Sequence, residues 1–265
     1  MDLKILAAQF PVSLSIQKNI EVISEILEQS QSGELVVFPE GSVSGYSTDI
    51  SFLDKIDLNE LEAGLKFLQK EAQRRDIYLW VGACIKENGN WINAAFGFMP
   101  NGDSYIYKKI NLAHHERNII VAGKELPVFQ IETKEGTVSI GIQLCRELRY
   151  PEQWGWLSRS GSQIILHLNN AVGNDKYQSV WKSHLVSRAA ETQRFVISAN
   201  NAGSQQLCPT MIIAPDGKVV GEIVSDKKAM LRATLDLSLV SNWYLNQCRE
   251  DVVLIKASND KNLAT

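Results

Sequence analysis

Residues 139–152 read Ser139-Ile140-Gly141-Ile142-Gln143-Leu144-Cys145-Arg146-Glu147-Leu148-Arg149-Tyr150-Pro151-Glu152. An apolar run of strand length ends at a cysteine, charged residues crowd the next turn, and a helix-period segment follows near Glu152–Ser160. That unit recurs downstream as strand Gln163–Leu168, a long helix Val180–Gln193 and strand Phe195–Ala199. Upstream, strand Leu3–Phe10 is followed by Ile16, Ile20, Ile23, Ile26 and Leu27 on one helical face, with a stop at Gln31-Ser32-Gly33. A short buried strand, Leu35–Phe38, then precedes a helix with Leu58, Leu61, Leu65, Leu68 and Ala72 at helical spacing and a strand Ile77–Ile85. Short apolar strands alternating with amphipathic helices predict an α/β layered fold.

The middle of the chain reads as antiparallel. Trp91–Phe98 and Ser104–Lys109 flank the turn Pro100-Asn101-Gly102-Asp103, and Val128–Glu132 and Thr137–Leu144 flank Lys134-Glu135-Gly136. A late hairpin, Met211–Ala214 with Lys218–Ile223, turns on Pro215-Asp216-Gly217. A faint internal echo of strand, helix and strand occurs near Gly33 and again near Gly161. No linker or composition shift divides the chain. The expectation is therefore one domain over residues 1–265, with two central sheets and helices on the outer faces.

The bulk numbers agree. The chain has 265 residues, 45% hydrophobic and 22% charged, with 17 Gly and 7 Pro. A chain of this length buries roughly 70–75% of its unfolded surface, and its composition excludes collagen-like and disordered classes. The net charge of −3 and the absence of long like-charge runs argue against a nucleic-acid footprint. No stretch approaches the ~20 apolar residues that span a bilayer, and no leader-like cleavage site follows the first apolar run. Cys84, Cys145, Cys208 and Cys248 are scattered without a CxxC pair, so neither a disulfide framework nor a structural zinc site is expected. A reduced, cytoplasmic protein acting on small molecules is the expectation, with no metal, cofactor, nucleic acid or membrane partner.

Three ionisable residues stand where strands end, the place reactive groups collect in α/β proteins. Glu40 closes the run from Leu35, Lys109 closes the run from Tyr105, and Cys145 closes the run from Ser139. Singly, each has an ordinary reading: a capping carboxylate, a solvated lysine, a packed thiol. Together they supply a nucleophile, a base for its proton and a cation for oxyanion charge, the requirements of acyl transfer.

Phe38-Pro39-Glu40 with Gly45-Tyr46, then Tyr107-x-Lys109-x-x-Leu112, then Cys145-Arg146-Glu147-Leu148-Arg149-Tyr150-Pro151-Glu152 resembles the nitrilase superfamily of carbon–nitrogen hydrolases. Ala7-Ala8-Gln9, the segment Trp181–Gln193, Ala199-Asn200-Asn201-Ala202-Gly203 and Pro215-Asp216-Gly217 extend the resemblance over nearly the whole chain. It implies a four-layer α-β-β-α sandwich with two central mixed sheets. It also implies a catalytic triad of Glu40 (general base and acid), Lys109 (oxyanion stabiliser) and Cys145 (nucleophile). A second glutamate, seven residues before a glycine, falls on Glu116 before Gly123 and would position substrate and support Lys109. The backbone N–H of Arg146 is the implied further oxyanion donor. The implied reaction is hydrolysis of a small linear amide through a cysteine thioester, possible substrates including ω-amides and N-carbamoyl compounds. Nitriles are less favoured, because Cys145-Arg146-Glu147 only half matches the nitrile-cleaving pattern.

Two departures stand out. Asn111 replaces a usual histidine, and Arg146 replaces a usual aromatic; if Arg146 reaches the cleft, an anionic substrate tail follows. Tyr46, Asn169 and Asn170 are candidate substrate contacts. Glu147, Arg149 and Glu191 are expected to form a buried ion-pair network around the nucleophile turn, since desolvated charges must be paired. Family members commonly pair through helices near the nucleophile, which makes Pro151–Leu157, with Trp154 and Trp156, a candidate interface for a homodimer or higher homo-oligomer. Competing readings are a cysteine–histidine hydrolase using His114, His115, His167 or His184, and a non-catalytic relative serving as a binding module.

Overall fold

The computed structural model describes residues 1–173, 178–203 and 206–249. Strands β1 (Asp2–Gln9), β2 (Leu35–Val37), β3 (Tyr78–Glu87), β4 (Asn90–Phe98) and β5 (Ser104–Lys108) form a sheet with helices α1 (Ile16–Leu27) and α2 (Leu58–Arg75) between its parallel members. Strands β6 (Val128–Thr133), β7 (Gly136–Leu144), β8 (Ile164–Asn169), β9 (Phe195–Asn200), β10 (Thr210–Ile213) and β11 (Val219–Ile223) form a second, with helices α3 (Pro151–Arg159) and α4 (Gln178–Thr192). β12 (Ala229–Asp236) returns to the first sheet and pairs antiparallel along all of β1. Each sheet has six strands, in the orders β12-β1-β2-β3-β4-β5 and β11-β10-β9-β8-β7-β6.

The sequence echo near Gly33 and Gly161 corresponds to this arrangement. Each glycine follows a helix, takes a left-handed φ (+77° and +91°) and opens the middle strand of a parallel trio, β1-β2-β3 or β7-β8-β9. The pattern of the first trio, extended antiparallel by β4 and β5, is repeated by the second with β10 and β11. Strand β12 was not anticipated, yet Leu231, Ala233 and Leu235 alternate with Arg232, Thr234 and Asp236 as a half-solvated edge strand should.

Alternation along the strands sorts side chains into layers. In β1, Leu3, Ile5 and Ala7 face the second sheet, whereas Leu6 and Ala8 face α1 and α2. In the second sheet, Ile140, Ile142, Leu144, Ile164, Leu166 and Leu168 meet that inner layer, while Ile165 and Val196 pack under α3 and α4. Helix, sheet, sheet and helix thus make four layers. Ser15 and Asp57 cap α1 and α2 with side-chain oxygens on first-turn N–H groups, which starts both helices where the sequence pattern places them.

The same alternation aims Lys109 inward. Tyr105 and Tyr107 contact the inner layer, so the residue two further on points between the sheets as well. β5 runs in the direction of β2, because two antiparallel pairings separate it from β3, so the two strands end at the same edge of their sheet. The segment after β5 crosses to the second sheet and carries Lys109 and Glu116 with it.

Candidate active site

Glu40, Lys109 and Glu116 form one fully buried ionic nest. Lys109 Nζ donates to Glu40 Oε1 at 2.7 Å and lies 3.1 and 3.0 Å from the two carboxylate oxygens of Glu116. Asn93, which the sequence reading missed, bridges the carboxylates: its Nδ2 donates to Glu40 Oε1 at 2.8 Å and to Glu116 Oε1 at 2.7 Å. Its signal was a lone amide among Ile92, Ala94 and Ala95 of a buried strand. Glu116 is completed by the Tyr46 hydroxyl at 2.7 Å and the Ala113 N–H at 2.5 Å. The Tyr46 hydroxyl spends its hydrogen on Glu116, so it accepts from His115 Nε2 at 3.0 Å.

Two glycines let the backbone close around this nest. A Cβ on Gly82 would lie 2.5 Å from Gly41 N and 2.7 Å from Glu40 Cα, and one on Gly123 would lie 2.2 Å from Lys108 O. Any side chain at either position would push Glu40 or the Lys109 segment out of place.

Cys145 follows β7 directly and takes φ +41°, a left-handed conformation strained for a residue with a Cβ. Its carbonyl accepts from His167 Nε2 at 3.0 Å, and His167 Nδ1 pairs with the Ser198 hydroxyl at 3.1 Å. A carbonyl can only accept, so the proton of this imidazole sits on Nε2. Burial holds His167 neutral, pulling it down to about 4. Glu147 fixes the other side of the turn. Its carboxylate accepts from the N–H groups of Leu144 (2.7 Å), Ile110 (2.8 Å) and Asn111 (3.0 Å) and from the Tyr107 hydroxyl (2.8 Å). One buried carboxylate thereby ties the Cys145 turn to the segment just after Lys109. Asn111 joins this array through its backbone, so the array is indifferent to its side chain.

The expected ion-pair network around the turn is corrected by these contacts. Among the described residues Glu147 has no cationic partner, because converging backbone N–H groups satisfy it. Arg149 instead lies over the Trp181 ring at 5.4 Å and contacts His184 at 3.1 Å, and Glu191 pairs with Arg188 at 2.7 Å. Trp154 is fully buried beneath the turn and donates to the Glu147 carbonyl at 3.0 Å, whereas Trp156 is exposed.

The electrostatics follow from burial among few charges. Burial would lower the Lys109 ammonium, but Glu40 and Glu116 outweigh it and hold it protonated far above its usual value. For Glu40, burial dominates over the pull of Lys109, and with the repulsion of Glu116 the carboxyl is raised above its ordinary range. Glu116 is lowered despite burial, because Lys109, Tyr46, Asn93 and the Ala113 N–H all favour its ionised form. Burial and the Glu40 charge push the Cys145 thiol well up, against the opposing pull of Lys109 and the Asn170 backbone N–H. The thiol is therefore neutral at rest. Glu40 Oε2 is buried without a hydrogen-bond partner, while Oε1 is held by Lys109 and Asn93.

A cleft of about 470 Å³ opens over Cys145. Tyr46, Arg146 and Asn170 line it with His114, His115, Asn201 and an apolar wall of Ala171, Val172, Trp181 and Leu207. Asn170 is anchored by the Glu40 carbonyl (3.2 Å) and Asn201 (3.0 Å). Asn169 does not line the cleft. Strand alternation turns it, like Ile165 and His167, towards the outer helices, where it is fully buried. Glu116 is also sealed beneath the cleft wall and touches Lys109 rather than open space. A groove of similar size, about 480 Å³, lies between β5 and residues 121–127 and contains none of the nest residues. Among the described residues no group of three or more His, Cys, Asp or Glu is arranged to hold a metal ion, and no helix is long and apolar enough to cross a membrane.

The model of the carbon–nitrogen hydrolase family matches residues 5–244. A probable nitrilase from Schizosaccharomyces pombe is 25% identical over 245 residues, covering 88% of each chain. A 2-oxoglutaramate amidase from Bacillus subtilis is 26% identical over 241 residues, covering 86% of this chain and 89% of its own. An amidase from Nesterenkonia sp. AN1, solved with the acetamide moiety of fluoroacetamide added covalently at its active-site cysteine, superposes with a TM-score of 0.80 at 20% identity, covering 94% of this chain and 95% of that one.

Proposed function

Because this chain belongs to the carbon–nitrogen hydrolase family, we propose that it cleaves the C–N bond of a small linear amide through a thioester on Cys145. The observation that carries this reading is the free Oε2 of Glu40, a buried oxygen of a carboxyl raised above its ordinary range, whose charge acts on the cleft-lining Cys145 thiol. A neutral thiol is a poor nucleophile, and an activating base is required. Glu40 takes the Cys145 proton as Sγ attacks the amide carbon. The carbonyl oxygen becomes an oxyanion, met by Lys109 Nζ and the Arg146 N–H; one such donor is worth about 3–4 kcal/mol. Glu40 returns its proton to the nitrogen, ammonia or an amine leaves, and the thioester remains. Water enters, Glu40 removes its proton, and collapse of the second tetrahedral intermediate frees the carboxylic acid and the thiol.

Lys109 keeps its charge throughout, and Glu116 serves as its positioning residue. Tyr46 and Asn170 are read as cleft contacts of the substrate. Asn169 would then support the wall from behind. The histidine readings find less support, since His167 is committed to the Cys145 carbonyl and His115 to Tyr46. The test is an ammonia-release screen over short amides, ω-amido acids and N-carbamoyl compounds, with Cys145→Ala as the blank and mass spectrometry for an acyl adduct on Cys145. Turnover by Cys145→Ala equal to wild type, with no adduct, overturns the reading and favours a binding module.

Three further expectations belong to this proposal. The chain is one hydrolase domain, supported by β12 near its end pairing with β1 at its start. It forms a homodimer through the Pro151–Leu157 helix, supported by the exposed Trp156; a monomer by light scattering at micromolar concentration overturns this. It works in a reducing, cytoplasmic setting, supported by four free cysteines.

A further inference from the structure

The cleft over Cys145 carries charge of one sign. Its lining contains a guanidinium, Arg146, and two imidazoles, but no carboxylate among the described residues. Most buried or half-buried arginines here are engaged: Arg75 and Arg188 with carboxylates, Arg194 with carbonyls, Arg149 with Trp181. Arg146 differs. Among the described residues no acid lies within ion-pair range of it, its side chain is exposed, and it stands directly after the nucleophile. His115 does not duplicate its charge. Burial first, and then the nearby Lys109 and Arg146, hold that imidazole below its usual value.

We propose that Arg146 is a specificity-determining residue that selects amides bearing a carboxylate at the far end of a short aliphatic chain. The inference rests on the amidase reading and names its substrate class. The amide sits at Cys145, the chain lies on the apolar wall of Ala171, Val172, Trp181 and Leu207, and the carboxylate meets the guanidinium. A planar guanidinium matches a carboxylate in geometry and charge, and a bond between ionised partners is roughly twice as strong as a neutral one. Among the described residues the cleft lining holds no acid, so none of them competes for the guanidinium or repels the incoming anion.

The experiment compares succinamate with isocaproamide, in which an isopropyl group replaces the carboxylate. For wild type, kcat/KM is higher for succinamate, and KM for succinamate rises with salt while that for isocaproamide does not. In Arg146→Gln the succinamate-to-isocaproamide ratio of kcat/KM falls about 10- to 100-fold. Arg146→Lys recovers part of that ratio, and Arg146→Glu drives it lower. A ratio unmoved by Arg146→Gln, with both substrates slowed together, assigns Arg146 to the turn alone and overturns the proposal while leaving the amidase reading intact. Wild-type preference for isocaproamide also overturns it. No turnover of any amide and no adduct on Cys145 removes the amidase reading itself, and the proposal with it.

Discussion

The nest around Lys109 and the mouth around Arg146 both adjoin the Cys145 thiol and treat charge in opposite ways. In the nest three ionisable side chains are sealed from water and held by one another, by Asn93, by Tyr46 and by a backbone N–H, with Glu40 Oε2 left without a partner. At the mouth a guanidinium stands exposed with no acidic partner among the described residues. A sealed charge is held by geometry that folding must supply, and removing one partner strands the rest. An exposed charge costs folding little and is free to meet a ligand. Changes in the nest should therefore act on kcat, pH dependence and stability, and changes at the mouth on which substrate is preferred.

The boundary residue gives the largest effect. Cys145→Ala should lower kcat by a factor on the order of 10⁴–10⁶, with the thermal midpoint little changed, measured by ammonia release beside a melt. A large loss of stability would mean that the thiol belongs structurally to the nest. Lys109→Met comes next. It leaves Glu40 and Glu116 buried without their cation, which should cost about 3–5 kcal/mol in denaturant unfolding as well as activity. A variant as stable as wild type would break the contrast between nest and mouth.

The pH profile sharpens the contrast further. In the proposed mechanism Glu40 must be ionised to take the thiol proton, and its carboxyl is raised above the ordinary range, so kcat/KM should fall as pH drops through a value above 4.5. Lys109 is held protonated far above its usual value, so its loss of charge should add no alkaline limb in the working range. Asn93→Ala removes a donor that favours ionised Glu40. It should move the acid limb to higher pH and cost about 1–3 kcal/mol of stability; an unmoved limb would sever Asn93 from Glu40.

His167→Ala should act more weakly, lowering kcat with KM nearly constant, because it frees the carbonyl of the strained Cys145 without touching substrate. Partial rescue by His167→Gln, which restores a donor, distinguishes this role from loss of packing. The smallest effect in absolute rate is expected from Arg146→Gln, which reads out in the ratio of two substrates.

Much of this was legible in the sequence. Leu35–Phe38, Ser139–Leu144 and Phe195–Ala199 are apolar runs bounded by turns, and buried parallel strands require that pattern. Glu40 and Cys145 follow such runs and Lys109 closes the half-exposed strand from Tyr105, so their placement at strand termini needed no coordinates. Asn93 and His167 were harder, because a polar residue inside a strand has the same local signature whether it bridges two carboxylates or merely finds a backbone partner. Glu147 was read as an ion-pair member because a buried carboxylate needs partners, but the sequence does not list backbone N–H groups among the candidates.

The chain alone therefore determined the alternation of strands and helices, the two-sheet layering and the identity of the ionisable residues at strand ends, all of which follow from local periodicity. Only the tertiary structure decided that Glu40 keeps one oxygen free, that Asn169 turns away while Asn170 faces the cleft, and that Arg146 lines the mouth with no acid among the described residues to hold it. Those facts depend on the direction of single bonds and on neighbours far away in sequence. Periodicity constrains the first only to a face and carries no information about the second.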